Sequence, residues 1–130
     1  MIKRHSVVLL FILVFLGGCH QKQASGLDPR IPAANPAVYE SVRDFKDWRN
    51  PILMVYSDRI RLMSSATDGG EKTVTLDQLR NSLIELPVSA WPYGRVVDLR
   101  SGDDDHLIPG SFAGDLLGIL ESMDIDGLWW

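Results

Sequence analysis

The sequence of 130 residues has one cysteine, Cys19, three histidines and 13 lysines and arginines. Its longest uncharged apolar run, Val7 to Leu16, stops after ten residues. A lone cysteine excludes an internal disulfide framework. Ten apolar residues are half of what a spanning helix needs, about 20 for a hydrocarbon core of about 30 Å. Of the chemical signatures, no G-x-S-x-G, no H-E-x-x-H and no phosphate loop occurs. With Cys19 set aside, a nucleophile would have to recruit His106 or His20, so the expected class is not an enzyme and no cofactor is implied.

What is there begins at the N-terminus. Lys3 and Arg4 precede the apolar run, which has the layout of a secretory signal over residues 1–18. Leu16-Gly17-Gly18-Cys19 follows, a large apolar residue, two without bulk, then the cysteine. This resembles the lipobox of bacterial lipoproteins. The resemblance implies cleavage before Cys19, a diacylglycerol thioether on its sulfur and acylation of the new amine, so that the membrane is a partner through lipid. Two or three acyl chains anchor stably where one does not. His20 stands where an aspartate would signal inner-membrane retention in enteric-type bacteria, which points to the periplasmic leaflet of the outer membrane.

Removing residues 1–18 takes away Lys3 and Arg4 and leaves 11 basic against 17 acidic side chains, a net charge of −6. Phosphate-rich partners are disfavoured by that balance, nucleic acid first among them. His20 to Pro36 carries Gly26, Pro29, Pro32 and Pro36 and few large apolar residues. Such a stretch reads as a disordered tether, reaching on the order of 50 Å at roughly 3.3 Å per residue. The expected division is signal 1–18, lipidated linker 19–36 and one globular domain 37–130.

In that domain Val38, Val42, Phe45 and Trp48 share one helical face, which predicts a helix from Ala37 to Trp48. Ile52 to Tyr56 and Arg59 to Met63, separated by Ser57-Asp58, read as a hairpin. Thr73-Val74 is a short edge strand. Thr75 and Gln78 form a capping-box pattern for a helix facing inward with Leu76, Leu79, Leu83 and Leu86. Arg95 to Arg100 is a strand. A helix from Gly110 places Phe112, Leu116, Leu117, Leu120 and Met123 on one side, and Ile125 to Trp130 is a last strand. Alternating strands and helices in a short chain predict an α/β two-layer sandwich, one mixed sheet of about four strands with helices packed on it.

The runs VYSDRIRLMS, TVTLDQLRNSLIEL, RVVDLRS and FAGDLLGILESMDIDGLWW, in that order over residues 51–128, resemble the periplasmic domain of the ExbD/TolR family. The resemblance implies a hairpin, helix, strand, helix and strand. That family is anchored by a transmembrane helix bearing a coupling aspartate. This sequence lacks both, so what carries over is a small envelope module that docks on another protein.

Two groups of side chains compete as the working part. Asp103-Asp104-Asp105-His106 could serve a small metal-dependent or acid/base hydrolase, but it lacks the spacing and turn glycine of a calcium loop and reads as a solvated loop ahead of a helix. Trp91 and Tyr93 of the Trp91-Pro92-Tyr93-Gly94 turn, with Trp129 and Trp130, are aromatics of the kind enriched where proteins bind one another. They can equally complete a small core. No metal site is expected. The leading expectation is a lipid-anchored, non-enzymatic module that binds an envelope protein through these aromatics. A small-ligand sensor using an uncovered sheet face is a further alternative.

Overall fold

A computed structural model describes residues 26–42, 46–66, 70–102 and 108–129. Cys19 with the expected signal, Phe45, the acidic loop Asp103 to His106, and Trp130 lie outside the described residues. Five strands form one mixed sheet: β1 (Ile52–Val55), β2 (Ile60–Met63), β3 (Glu71–Val74), β4 (Val96–Ser101) and β5 (Asp126–Trp129). Among the described residues three α-helical segments accompany them, α1 (Pro36–Tyr39), α2 (Leu76–Ile84) and α3 (Gly110–Ser122). The strand order is β3-β2-β1-β4-β5. The α/β two-layer reading holds, with one strand more than the expected four because β3 pairs over all of Glu71 to Val74.

Chain connectivity dictates strand direction. Ser57-Asp58 is a tight reversal, closed by Tyr56 N–H donating to Arg59 O at 3.0 Å, so β1 and β2 are antiparallel, as are β2 and β3. A parallel neighbour needs a crossover long enough for a helix. From β3 the chain passes through α2 to β4 beside β1, and from β4 through α3 to β5, and both new pairs are parallel.

The pleat sends Leu53, Val55, Ile60, Leu62, Val97 and Leu99 to the helical face, where they pack with Leu79 and Leu83 of α2 and Leu116 and Leu120 of α3. Each such leucine, fully buried, stabilises the fold by about 1.5–3 kcal/mol. The start of α2 follows the expected capping pattern, with Thr75 N–H donating to Gln78 Oε1 at 3.1 Å.

The opposite face is not bare. Ile52 and Val96 gather Tyr39, Trp48 and Tyr93 into a second, aromatic cluster. Trp48 lies edge-on to Tyr39 at 5.8 Å and tilted against Tyr93 at 5.0 Å between ring centroids. This corrects the expected helix from 37 to 48. Nine helical residues would separate Tyr39 from Trp48 by about 13 Å along the axis at 1.5 Å each. Stacking the two rings instead requires the chain to turn. The α-helix runs from Pro36 to Tyr39, capped by the Asn35 side chain accepting from Ala37 N–H, and passes into a 3-10 turn at Glu40–Val42. Tyr39 is buried while Val38, expected inside, is exposed.

A second correction concerns the tether, expected to run to Pro36. Leu27 and Ile31 are buried in the main core, Ile31 with 2 % exposure. The backbone is fastened too: Arg95 N–H donates to Pro32 O at 2.9 Å, Arg95 Nε donates to Ile31 O at 3.0 Å, and Ala33 bridges Arg95 in parallel. Two large apolar residues four apart suffice to dock a proline-rich strap once a complementary groove exists. The strap's turn is closed by Asp28, which accepts from Arg30 N–H and guanidinium; those hydrogen bonds lower its carboxyl pKa to about 2. The stabilisation from this exposed pair is therefore present above the normal carboxylate range, is lost as pH falls through about 2, and is reduced by salt.

Candidate functional site

The Trp91-Pro92-Tyr93-Gly94 turn is structural. Trp91 is 3 % exposed within the main core, and among the described residues its Nε1 makes no hydrogen bond. Tyr93, 9 % exposed, stacks on Trp48 and donates its hydroxyl to Asp47 O at 3.0 Å. Buried Asn50 clamps the turn, its Nδ2 donating to Gly94 O and Val96 O at 2.8 Å and its Oδ1 accepting from Tyr93 N–H at 2.8 Å. Gly94 has φ +82°, and a Cβ there would lie 2.6 Å from Ala33 O, so this glycine both makes the turn and admits the strap. Trp91 and Tyr93 are thus corrected from partner contacts to core residues: hydrogen bonds across more than 40 positions of sequence draw the turn inward.

The remaining expected aromatic behaves differently. Trp129 is 41 % exposed on β5, and Leu117 of α3 is 38 % exposed. Leu117 was expected on the inward face, but its neighbour Leu116 is the one that points in, and successive helical side chains diverge. The sequence feature that marks this region is the turn between α3 and β5. Ile125 N–H donates to Leu120 O at 2.9 Å and Asp124 N–H to Glu121 O at 3.0 Å, a Schellman closure. Asp124 holds the left-handed position at φ 57°, where glycine is usual. Because the reversal is so tight, β5 starts directly under the end of α3. Gly127 lets it approach: a Cβ there would lie 2.7 Å from Leu99 Cδ1 and 3.3 Å from Leu120 Cδ1.

Among the described residues β5 is an edge: its one paired neighbour there is β4, and Asp126 N–H donates inward to Arg95 O at 2.9 Å. In a parallel ladder alternate residues bond to opposite sides, so Gly127 and Trp129 present their backbone groups outward. Alongside runs a groove of about 390 Å³ formed by Leu117, Leu120 and Ile125 with Glu121, Asp124 and Asp126. Its electrostatics are one-sided: from residue 108 to the end the sequence has Asp115, Glu121, Asp124 and Asp126 and no lysine or arginine. Arg95 reaches toward Asp124 at 3.9 Å but is largely buried.

Several charged side chains elsewhere are held in internal pairs. At the ends of β1 and β2, Arg59 stacks on the Tyr56 ring at 4.3 Å and pairs with Asp58, and Arg61 donates to the Tyr56 hydroxyl and pairs with Glu71. The Tyr56 hydrogen bond and then Glu71 raise the Arg61 pKa further, which keeps it a permanent cation. On β4, fully buried Asp98 accepts from Arg100 Nε at 2.8 Å. Among the described residues no three His, Cys, Asp or Glu side chains gather to hold a metal. A cleft of about 660 Å³ opens beside Trp48 and Met63 and is partly polar, with Arg49, Ser64, Ser65 and Ser89. It is not a deep apolar pocket. Of the sequence-expected site residues, the structure brings Trp91 and Tyr93 into the interior, leaves Trp129 at the surface and does not place Cys19, Trp130 or Asp103 to His106.

Comparison with protein-family models, with curated proteins and with solved structures finds no match to the chain.

Proposed function

We propose that this chain is a lipid-anchored envelope lipoprotein, acylated at Cys19 and held at the periplasmic face of the outer membrane, whose domain docks another envelope protein along the β5 edge. It acts by binding and not by catalysis. The observation that carries the reading is that, among the described residues, the outer side of β5 is left unpaired and carries exposed Trp129, with exposed Leu117 on α3, the helix that leads into it. Unpaired edges of this apolar kind are normally blunted, and contiguous exposed apolar surface marks interaction sites. The order of hairpin, third strand, helix, strand, helix and strand between Ile52 and Trp129 contains, with β3 added, the order that the ExbD/TolR resemblance implies.

The docked strap sharpens the geometry of tethering. With Leu27 and Ile31 in the core, six residues, 20–25, separate the lipidated cysteine from the first described residue. They span at most about 20 Å, against the 50 Å expected for a tether running to Pro36. The module then works close to its membrane, and no helix among the described residues is long and apolar enough to cross one.

The test is a photoreactive residue in place of Trp129 in intact cells, with position 72 on β3 as control. Capture of a defined envelope protein from 129 and not from 72 is expected. Equal or absent capture at 129 would reject the docking edge. For the anchor, Cys19→Ala abolishes incorporation of labelled fatty acid; persistence of label rejects it.

A further inference from the structure

We infer that the partner contributes a cationic, extended segment that adds to β5 as a sixth strand, with lysine or arginine alternating with apolar residues. The inference rests on the docking reading and names the chemistry of its partner.

Three features of the edge select this occupant. The outward backbone groups of Gly127 and Trp129 call for another extended backbone, since only a strand offers donors and acceptors at the same repeat. A helix laid there would leave them unpaired. Exposed Trp129, on the same face of β5 as Gly127, and exposed Leu117 of α3 each offer apolar surface on the helical side of the sheet. Glu121 and Asp124 border that face and Asp126 extends from the opposite one, so positive side chains on either side of the added strand find a carboxylate. Arg95 already reaches Asp124 at 3.9 Å, so Glu121 and Asp126, which make no ion pair among the described residues, are the carboxylates open to such a segment.

The same charges argue against the other occupants. A second copy paired edge to edge would bring Glu121, Asp124 and Asp126 of each chain against their counterparts, like charges at close range. An anionic lipid surface is repelled for the same reason. At the far edge, Lys72 and Glu71 of β3 point charge of both signs at any incoming strand, and both are already paired, Lys72 with Glu85 at 3.7 Å and Glu71 with Arg61. The cationic strand is therefore specific to β5.

The mature lipoprotein in detergent micelles tests this with eight-residue peptides alternating valine with lysine, serine or glutamate. Affinity is read by fluorescence polarisation and location by amide NMR shifts. The lysine peptide is expected to bind about tenfold or more tightly than the serine peptide, to weaken with added salt, and to shift residues 117–129 selectively. The glutamate peptide does not bind. N-methylation of every internal residue of the lysine peptide, which removes the backbone donors of both edges but not the charge, abolishes binding. Glu121→Lys with Asp126→Lys, both exposed changes, reverses the preference toward glutamate. Equal binding of lysine and serine peptides, tolerance of N-methylation, or shifts spread over the whole acidic surface would each overturn the inference. If these fail while position 129 still captures a protein in cells, the docking edge stands and the cationic strand is wrong; if both fail, both are wrong.

Discussion

The two edges of the sheet are built to opposite rules. β3 exposes Glu71, Lys72 and Thr73 and buries only Val74, and its two charges are tied to Arg61 and Glu85. β5 exposes Asp126 and Trp129, has a glycine in its middle and lies beneath the end of α3. An inserting strand would meet neutralising charge at the first and an indole with unpaired backbone at the second. Protection of edges is a requirement that soluble sheets meet in general, so an edge that omits it is the informative one.

That contrast can be broken from the inside. Leu120 is fully buried between α3 and β5, and Leu120→Ala is expected to destabilise the domain by about 3 kcal/mol through lost burial and a residual cavity. In hydrogen exchange, β5 amides should lose protection while β3 amides lose less; uniform loss would mean that β5 is no more separable than β3. Gly127→Ala is expected to cost about 1–3 kcal/mol in denaturant unfolding, because Leu99 and Leu120 must move away from the new methyl. Asp124→Gly removes left-handed strain from the turn into β5 and should raise stability by about 0.5–1 kcal/mol, read as a higher midpoint.

The smallest stability effects separate the edges most sharply. Trp129→Lys and Lys72→Val exchange the characters of the two strands, and each should change folding stability by only about 0.5 kcal/mol. Trp129→Lys is expected to abolish partner capture in cells. Lys72→Val should leave capture intact and raise self-association in sedimentation at high protein concentration, since the charge that guards β3 is gone. If Trp129→Lys retained the partner, the two edges would be equivalent in function.

Much of this fold is legible in short windows. The Thr75 and Gln78 pair with Leu79 and Leu83 marks α2, because capping and a 3.6-residue period are local. The dense apolar run at Ile52 to Val55 and the core of Val96 to Leu99 mark the two central strands, because strands flanked on both sides are apolar on both faces. The candidate site was less legible. Trp91 and Trp129 are alike as sequence, each an indole near glycine or proline, and nothing within ten residues says which one is covered.

The sequence by itself determined α2 and α3, the strands of one mixed sheet, the inward Leu79, Leu83, Leu116 and Leu120 and the acidic excess, which follow from local periodicity, connectivity and composition. Only the tertiary structure decided that Trp91 and Tyr93 lie inside, that the strap from Leu27 to Ala33 belongs to the domain, that α1 ends early so that Trp48 can stack on Tyr39, and that β5 is left as an open edge. The reason is physical. Burial of an aromatic ring or a strap is set by what stands opposite it, and here that is Asn50 reaching Tyr93 and Arg95 reaching Ile31, partners 43 and 64 residues apart.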